Sequence, residues 1–118
     1  MQTDVAPIST PKRWPRGQKF TLTQAGLEAE VAHRDVVNGV RSMGRSALDS
    51  ALAAWATPLG LQAADGVLLR ELAGKKRGLN ELSEALEDTG IDAAAVKASI
   101  DRLVVARLAE PVPLASQQ

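Results

Sequence analysis

The sequence predicts a mainly α protein: five helical stretches, one of them long and amphipathic, and two short extended segments. Three observations lead there. Apolar residues recur every three or four positions from Gln24 to Ala106. Two-residue alternation is confined to Lys19–Thr23, while a second extended segment, Leu108–Val112, is restricted to a sheet edge by Pro111 and Pro113. The composition is that of one globular domain, with 118 residues, 45% hydrophobic and 24% charged.

The elements follow in order. Residues 1–11 carry Pro7 and Pro11 with no apolar period and read as a flexible tail, as do residues 113–118. Residues 12–62 hold a strand and the long helical segment; residues 63–112 form a separate head. Pro15-Arg16-Gly17 reads as a turn, because Pro15 presets φ and Gly17 accepts positive φ. Phe20 and Leu22 then share one face of a half-buried strand. Thr23 suits a helix N-cap. The first helix carries Ala25, Leu27, Val31 and Ala32 near one face and ends around His33–Asp35. A long helix over Asp35–Ala56 follows, with the stripe Val36, Val40, Met43, Ala47, Leu48, Ala51, Leu52 and Trp55. Gly39 and Gly44 weaken this helix, and both leave room for a neighbour. Pro58 stops it.

In the head, helices fit Ala63–Ala73, Leu79–Asp88 (with Asn80 as N-cap) and Ala93–Ala106. The basic break Gly74–Gly78 follows the first of these. Gly90 reads as a left-handed cap and Asp92 as the next N-cap. Candidate inward residues are Val67, Leu68, Leu69, Leu72, Leu82, Ala85, Leu86, Val96, Ile100, Leu103 and Val104.

Composition removes many functions. There is no Cys, hence no disulfide, thiolate nucleophile or Cys-bound metal. His33 is the single histidine, and no carboxylates cluster at ligand spacing, so neither a metal nor a cofactor is expected. Ser42, Ser46, Ser50, Ser83 and Ser99 lie on helical patterns without a base beside them, which argues against an enzyme. Fourteen Lys+Arg balance fourteen Asp+Glu, so no overall field draws the chain to nucleic acid. No apolar run approaches the ~20 residues of a membrane span, and no charged-then-apolar leader opens the chain. A cytoplasmic protein with no membrane contact is expected.

One constellation stands out. Leu79-Asn80-Glu81-Leu82-Ser83-Glu84-Ala85-Leu86, a Gly turn, and a helix ending Arg102-Leu103-Val104-Val105-Ala106-Arg107-Leu108-Ala109-Glu110 resemble the helix-turn-helix of winged-helix DNA-binding domains. Arg107 stands where that family usually has Gly. Arg16–Leu27, with Leu22-Thr23 followed by Gly26, is similar to the outgoing wing strand and next helix of MarR-like and PadR-like regulators. There this piece follows the recognition helix, whereas here it precedes it. The resemblance therefore implies a winged-helix-like head with a short two-stranded wing. Lys19–Thr23 and Leu108–Val112 would complete that wing from opposite ends of the chain.

The resemblance also implies DNA binding, with Ala93–Ala106 as the reading helix. Lys97 and Ser99 would meet base edges and Arg102 a phosphate. The turns with Lys75, Lys76 and Arg77, and with Lys12, Arg13, Arg16 and Lys19, would hold the backbone without reading sequence. Regulators of these families dimerise through helices outside the head, a role for the Val36–Trp55 stripe. Other readings stand beside these. The helix at 93–106 is rich in Ala, which makes no bidentate base contact, and it is flanked by Asp92 and Asp101. Basic turns are often merely solubilising, and the stripe suits the scaffold of a monomer equally. Trp14 reads as cover for the core edge, and His33 as an exposed residue at a helix end. The two functions in contention are a small DNA-binding regulator and a winged-helix module that binds protein as an adaptor or assembly factor.

Overall fold

The computed structural model describes residues 10–113, so the two expected tails lie outside the described residues except for Thr10, Pro11 and Pro113. The chain is mainly helical, with a small three-stranded antiparallel sheet. Its strands are β1 (Lys19–Leu22), β2 (Arg77–Gly78) and β3 (Ala109–Pro111). Its helices are α1 (Gln24–Val40), α2 (Arg45–Ala56), α3 (Asp65–Leu72), α4 (Leu79–Ala85) and α5 (Ala93–Val105). Single 3₁₀ turns follow α2 and α4.

Strand β1 lies in the middle of the sheet, between β2 and β3. Thr21 stands opposite Glu110 and Leu22 opposite Ala109, so the strands at the two ends of the described chain do pair. The other neighbour, β2, was expected to be only a basic linker; Lys19 faces Gly78 and Phe20 faces Arg77. Two residues carry no alternation, and the strand exists because β1 offers a free edge beside the linker.

Where β3 begins, the chain is tightly joined to α1. Thr23 caps α1, its Oγ1 accepting from the Gly26 amide at 3.0 Å while donating to the Arg107 carbonyl at 2.7 Å. The Thr23 amide donates to the Leu108 carbonyl at 3.0 Å. A Cβ built on Gly26 would lie 1.9 Å from that carbonyl oxygen, so only Gly lets the helix approach this closely. Arg107, where the resembled domains usually have Gly, takes φ 63°, the left-handed conformation, as the sole non-Gly residue among those described to do so. The corner is made by a residue with a Cβ, at a steric cost.

The core gathers where α3, α4 and α5 meet the sheet. Phe20, Leu68, Leu69, Leu72, Leu82, Ile100 and Leu103 are wholly buried. At about 1.5–3 kcal/mol for each such side chain, this cluster outweighs any single polar contact in the head. Trp14 covers its edge as expected, half-buried and edge-on to Phe20 at 4.9 Å.

The helical run after Thr23 breaks later than expected. Helix α1 continues through His33 to Val40, and the single long helix over 35–56 is instead the end of α1, a turn, and α2. Gly44, at φ 97°, makes the turn. The helices fold back as a hairpin, for Trp55 Nε1 donates to the Ala29 carbonyl at 3.3 Å. His33 is therefore not at a helix end. It is buried, edge-on to Trp55 at 4.8 Å, and a Cβ on Gly66 would lie 2.2 Å from its Nε2. Its position on the Gly26, Ala29, His33, Val36, Val40 stripe was the signal for this. Asn80 and Ala85 also differ from expectation. Helix α4 starts at Leu79, and Glu81 Oε1 accepts from the Gly78 amide at 2.8 Å. Ala85 is exposed, because this segment buries Leu82 and Leu86 in the core instead.

Replacing Arg107 with Gly relieves the left-handed strain and stabilises the chain by about 1 kcal/mol, the relief being partly offset by the freer unfolded chain; a lower urea midpoint for the variant would contradict this. Burial, reinforced by the nearby Arg70 and opposed by Glu30, lowers the pKa of His33. The folded state therefore disfavours imidazolium. This contribution is fully present above the unfolded value near ~6.5 and is lost as pH falls below it. The urea midpoint should drop between pH 7.5 and 5 in the wild type and less in His33→Gln; parallel curves would rule the linkage out.

Candidate interaction surface

Helix α5 is the centre of the surface that the resemblance points to. Asp92 caps it, Oδ1 accepting from the Ala95 amide at 2.8 Å. Its buried side carries Val96, Ser99, Ile100, Leu103 and Val104. That orientation is fixed by Asp65, at the start of α3, whose carboxylate is completely buried. Arg102 donates to it twice, from Nε at 2.7 Å and from an Nη at 2.9 Å. The Ser99 hydroxyl donates to it at 2.5 Å and the Gln62 amide at 2.9 Å. The hydrogen bond to Asp65, before the charge attraction, raises the pKa of Arg102.

The three side chains expected to meet DNA from this helix are thus engaged within the fold. Ser99 is buried rather than facing a base edge. Arg102 turns toward Asp65 rather than outward. Lys97 pairs with Asp101 one turn along and also donates to the Pro11 carbonyl at 3.0 Å. Asp101 in turn accepts from Trp14 Nε1 at 3.0 Å. The segment from Pro11 to Trp14 therefore lies across α5. What α5 presents outward is Ala94, Ala95, Ala98 and Val105, the last about half exposed at 51%.

The two basic turns lie at opposite ends of the sheet. Lys12, Arg13 and Arg16 are exposed, with no ion-pair partner among the described residues, and stand beside the Lys19 end of β1. Lys19 itself lies 3.8 Å from Glu81. Lys75 and Lys76 belong to the far end, where Thr21 Oγ1 donates to the Lys75 carbonyl at 3.0 Å, while Arg77 stands opposite Phe20, next to Lys19. Lys75 and Lys76 are exposed, while Arg77 is half-buried against Glu71, donating to its carbonyl at 3.2 Å. Only the Lys12–Lys19 turn stands with Lys97 and the first half of α5.

The expected dimer stripe is divided between two helices. Trp55 is buried against Ala29 and His33. Val36 and Val40 on α1, and Ala47, Leu48, Ala51 and Leu52 on α2, are half-buried, and Met43 in the turn is 66% exposed. No residue from 34 to 54 is buried, although α1 and α2 pack together. Leu27 and Val31, not assigned to the stripe, are exposed apolar residues on α1; their spacing of four is the signal that marks them. Among the described residues no group of three His, Cys, Asp or Glu is placed to hold a metal, and no helix is long and apolar enough to cross a membrane.

No family model matches the chain, and no curated protein or solved structure matches it.

If Arg102 holds the fold, Arg102→Ala leaves Asp65 buried without its cation and costs about 3–5 kcal/mol of stability. Asp65→Ala costs less, about 2–3 kcal/mol, because the freed guanidinium is partly exposed and turns to water. Urea unfolding of both variants measures this. A change below about 0.5 kcal/mol for Arg102→Ala, the size usual for a surface site, would return Arg102 to the pool of available contacts.

Proposed function

We propose that the chain is a winged-helix-like protein-interaction module, an adaptor or assembly factor that associates through its α1–α2 hairpin and does not read DNA sequence. The observation that carries this is the engagement of Lys97, Ser99 and Arg102 within the fold, which leaves α5 with an outward face of Ala and Val. Such a face has no bidentate donor for a base edge. The winged-helix shape is supported by the succession α4, turn, α5, β3, and by β1 pairing with β3 as the permuted wing strand. The hairpin role is supported by its apolar residues, none of which is buried between 34 and 54, and by exposed Leu27, Val31 and Met43. Leu27 and Val31, four residues apart on the side of α1 away from its buried stripe, are what a second copy covers in a self-complementary pair. No catalytic step belongs to this reading, and its setting is the cytoplasm.

A second reading rests on the exposed, unpaired Lys12, Arg13 and Arg16. These would hold a duplex by its phosphates without regard to sequence.

The test has two arms. Anisotropy of a labelled random duplex should show no binding at physiological salt, and at most weak binding that vanishes as salt rises. Duplex binding at physiological salt with a sequence preference would overturn the reading. Sedimentation should give a dimer that persists in high salt and that Leu27→Glu with Val31→Glu converts to a folded monomer. A wild-type monomer in high salt would remove the hairpin contact.

A further inference from the structure

We propose that the basic cleft beside Trp14 receives the acidic turn of a second copy of this chain, so that copies join head to tail. This contact goes beyond the hairpin pairing and does not require it.

The cleft has a volume of about 560 Å³ and lies between the Arg13–Lys19 turn and the start of α4. That is within the ~300–1,000 Å³ usual for binding sites. Trp14, Pro15 and Leu79 line it with apolar surface, and Arg13 and Arg16 stand on it. Among its lining residues the one carboxylate, Glu81, is already committed, accepting from the Gly78 amide at 2.8 Å and facing Lys19 at 3.8 Å. Bonding to that amide, more than the nearby cations, lowers the pKa of Glu81 and keeps it a carboxylate. Arg13, Arg16 and neighbouring Lys12 remain without an anion among the described residues.

The other end of α4 carries the complement. Glu84, Glu87 and Asp88 are exposed and have no cation partner among the described residues. With half-buried Ile91 and the capping residue Asp92, Glu84 and Glu87 line a second, shallower hollow. Along the chain the cleft's lining ends at Glu81 and the hollow's begins at Ser83, while Glu87 and Asp88 lie six and seven residues past Glu81, about 10 Å further on. The formal net charge of the chain is zero, and opposite charges stand at the two ends of one element. The carboxylates that match the three free cations are therefore present on the chain itself, with Ile91 to meet Trp14 and Leu79. Glu87 and Asp88, about 10 Å past the last residue that lines their own cleft, are not paired with its cations within one chain. Two different surfaces in contact give a heterologous joint, which propagates into rings or open chains rather than closing as a twofold pair. Exposed ion pairs are individually weak and are screened by salt, so this joint is modest and salt-sensitive, unlike an apolar hairpin contact.

Sedimentation equilibrium of the full chain at rising concentration, in low and in high salt, tests the proposal. The expected result is a mass beyond that of a dimer in low salt, lost in high salt, and retained in low salt by a Leu27→Glu, Val31→Glu variant beyond its monomer mass. Arg13→Glu with Arg16→Glu, and separately Glu87→Arg with Asp88→Arg, should each weaken the association at least tenfold while helical circular dichroism stays unchanged. Mixing the two variants should restore association, because the altered cleft of one now matches the altered turn of the other. A wild-type mass unaffected by salt, or a mixture no heavier than its components, would overturn the proposal. So would a cleft variant that loses duplex binding while self-association is unchanged, which would make the cleft a nucleic-acid site. Loss of the salt-resistant dimer alone would count against the hairpin contact and leave this joint standing.

Discussion

A carboxylate with no access to water has to be paired, and Asp65 sets much of the geometry of the head for that reason. Its oxygens take up Arg102, Ser99 and the Gln62 amide, tying the start of α3 to the middle of α5. Position in the first turn of α3 also places the negative charge at the favourable end of that helix. Once Ser99 and Arg102 are committed inward, the rotation of α5 about its axis is decided. Val96, Ile100 and Leu103 face the core, and the alanines face out. The polar residues that gave α5 the look of a reading helix are thus the ones that fasten it.

A second constraint joins the two ends of the described chain. Strand β1 is central in the sheet although it comes first, so the sheet is incomplete until β2 and β3 have been added to it. Closure depends on near contact of backbones: Gly26 against the Leu108 carbonyl, and Thr23 bonded to both Arg107 and Leu108. The left-handed Arg107 shows that this contact is worth more than the local strain it imposes. The same corner turns β3 away from α5 and toward the Lys12–Lys19 turn, where Gln18 Nε2 donates to the Val112 carbonyl at 2.7 Å. The basic turn is in this way held beside α4 and the first half of α5.

The proposed contacts draw on what is left over when these demands have been met. The unspent apolar surface is on the hairpin, in which no residue from 34 to 54 is buried. Unspent charge stands at the two ends of α4, basic at one and acidic at the other, and on Lys75 and Lys76. Neither resource is arranged along α5. Both suit contacts between protein surfaces, one insensitive to salt and one governed by it.

Much of the architecture was legible in the residues. The three-to-four spacing identified the helices of the head, Thr23 and Asp92 marked two helix starts, and alternation at Phe20 and Leu22 marked the central strand. The pairing of β1 with β3 also followed, because two isolated strands leave backbone groups that need partners. These features are local, or follow from a requirement that every strand obeys. What escaped was decided at longer range. Gly44 ends a run whose apolar period continues unbroken, and only the return of Trp55 to Ala29 shows why. β2 is a strand because β1 lies beside it. His33 is buried because Gly66, on another helix, makes room for its ring. Ser99 and Arg102 look inward because a carboxylate 34 residues from Ser99 is buried against them. Residue order and spacing were enough to say which segments are helix or strand and which apolar faces must be hidden. Which polar side chains remain available was settled by the folded chain, because pairing a buried charge depends on what the fold brings beside it and not on spacing along the sequence.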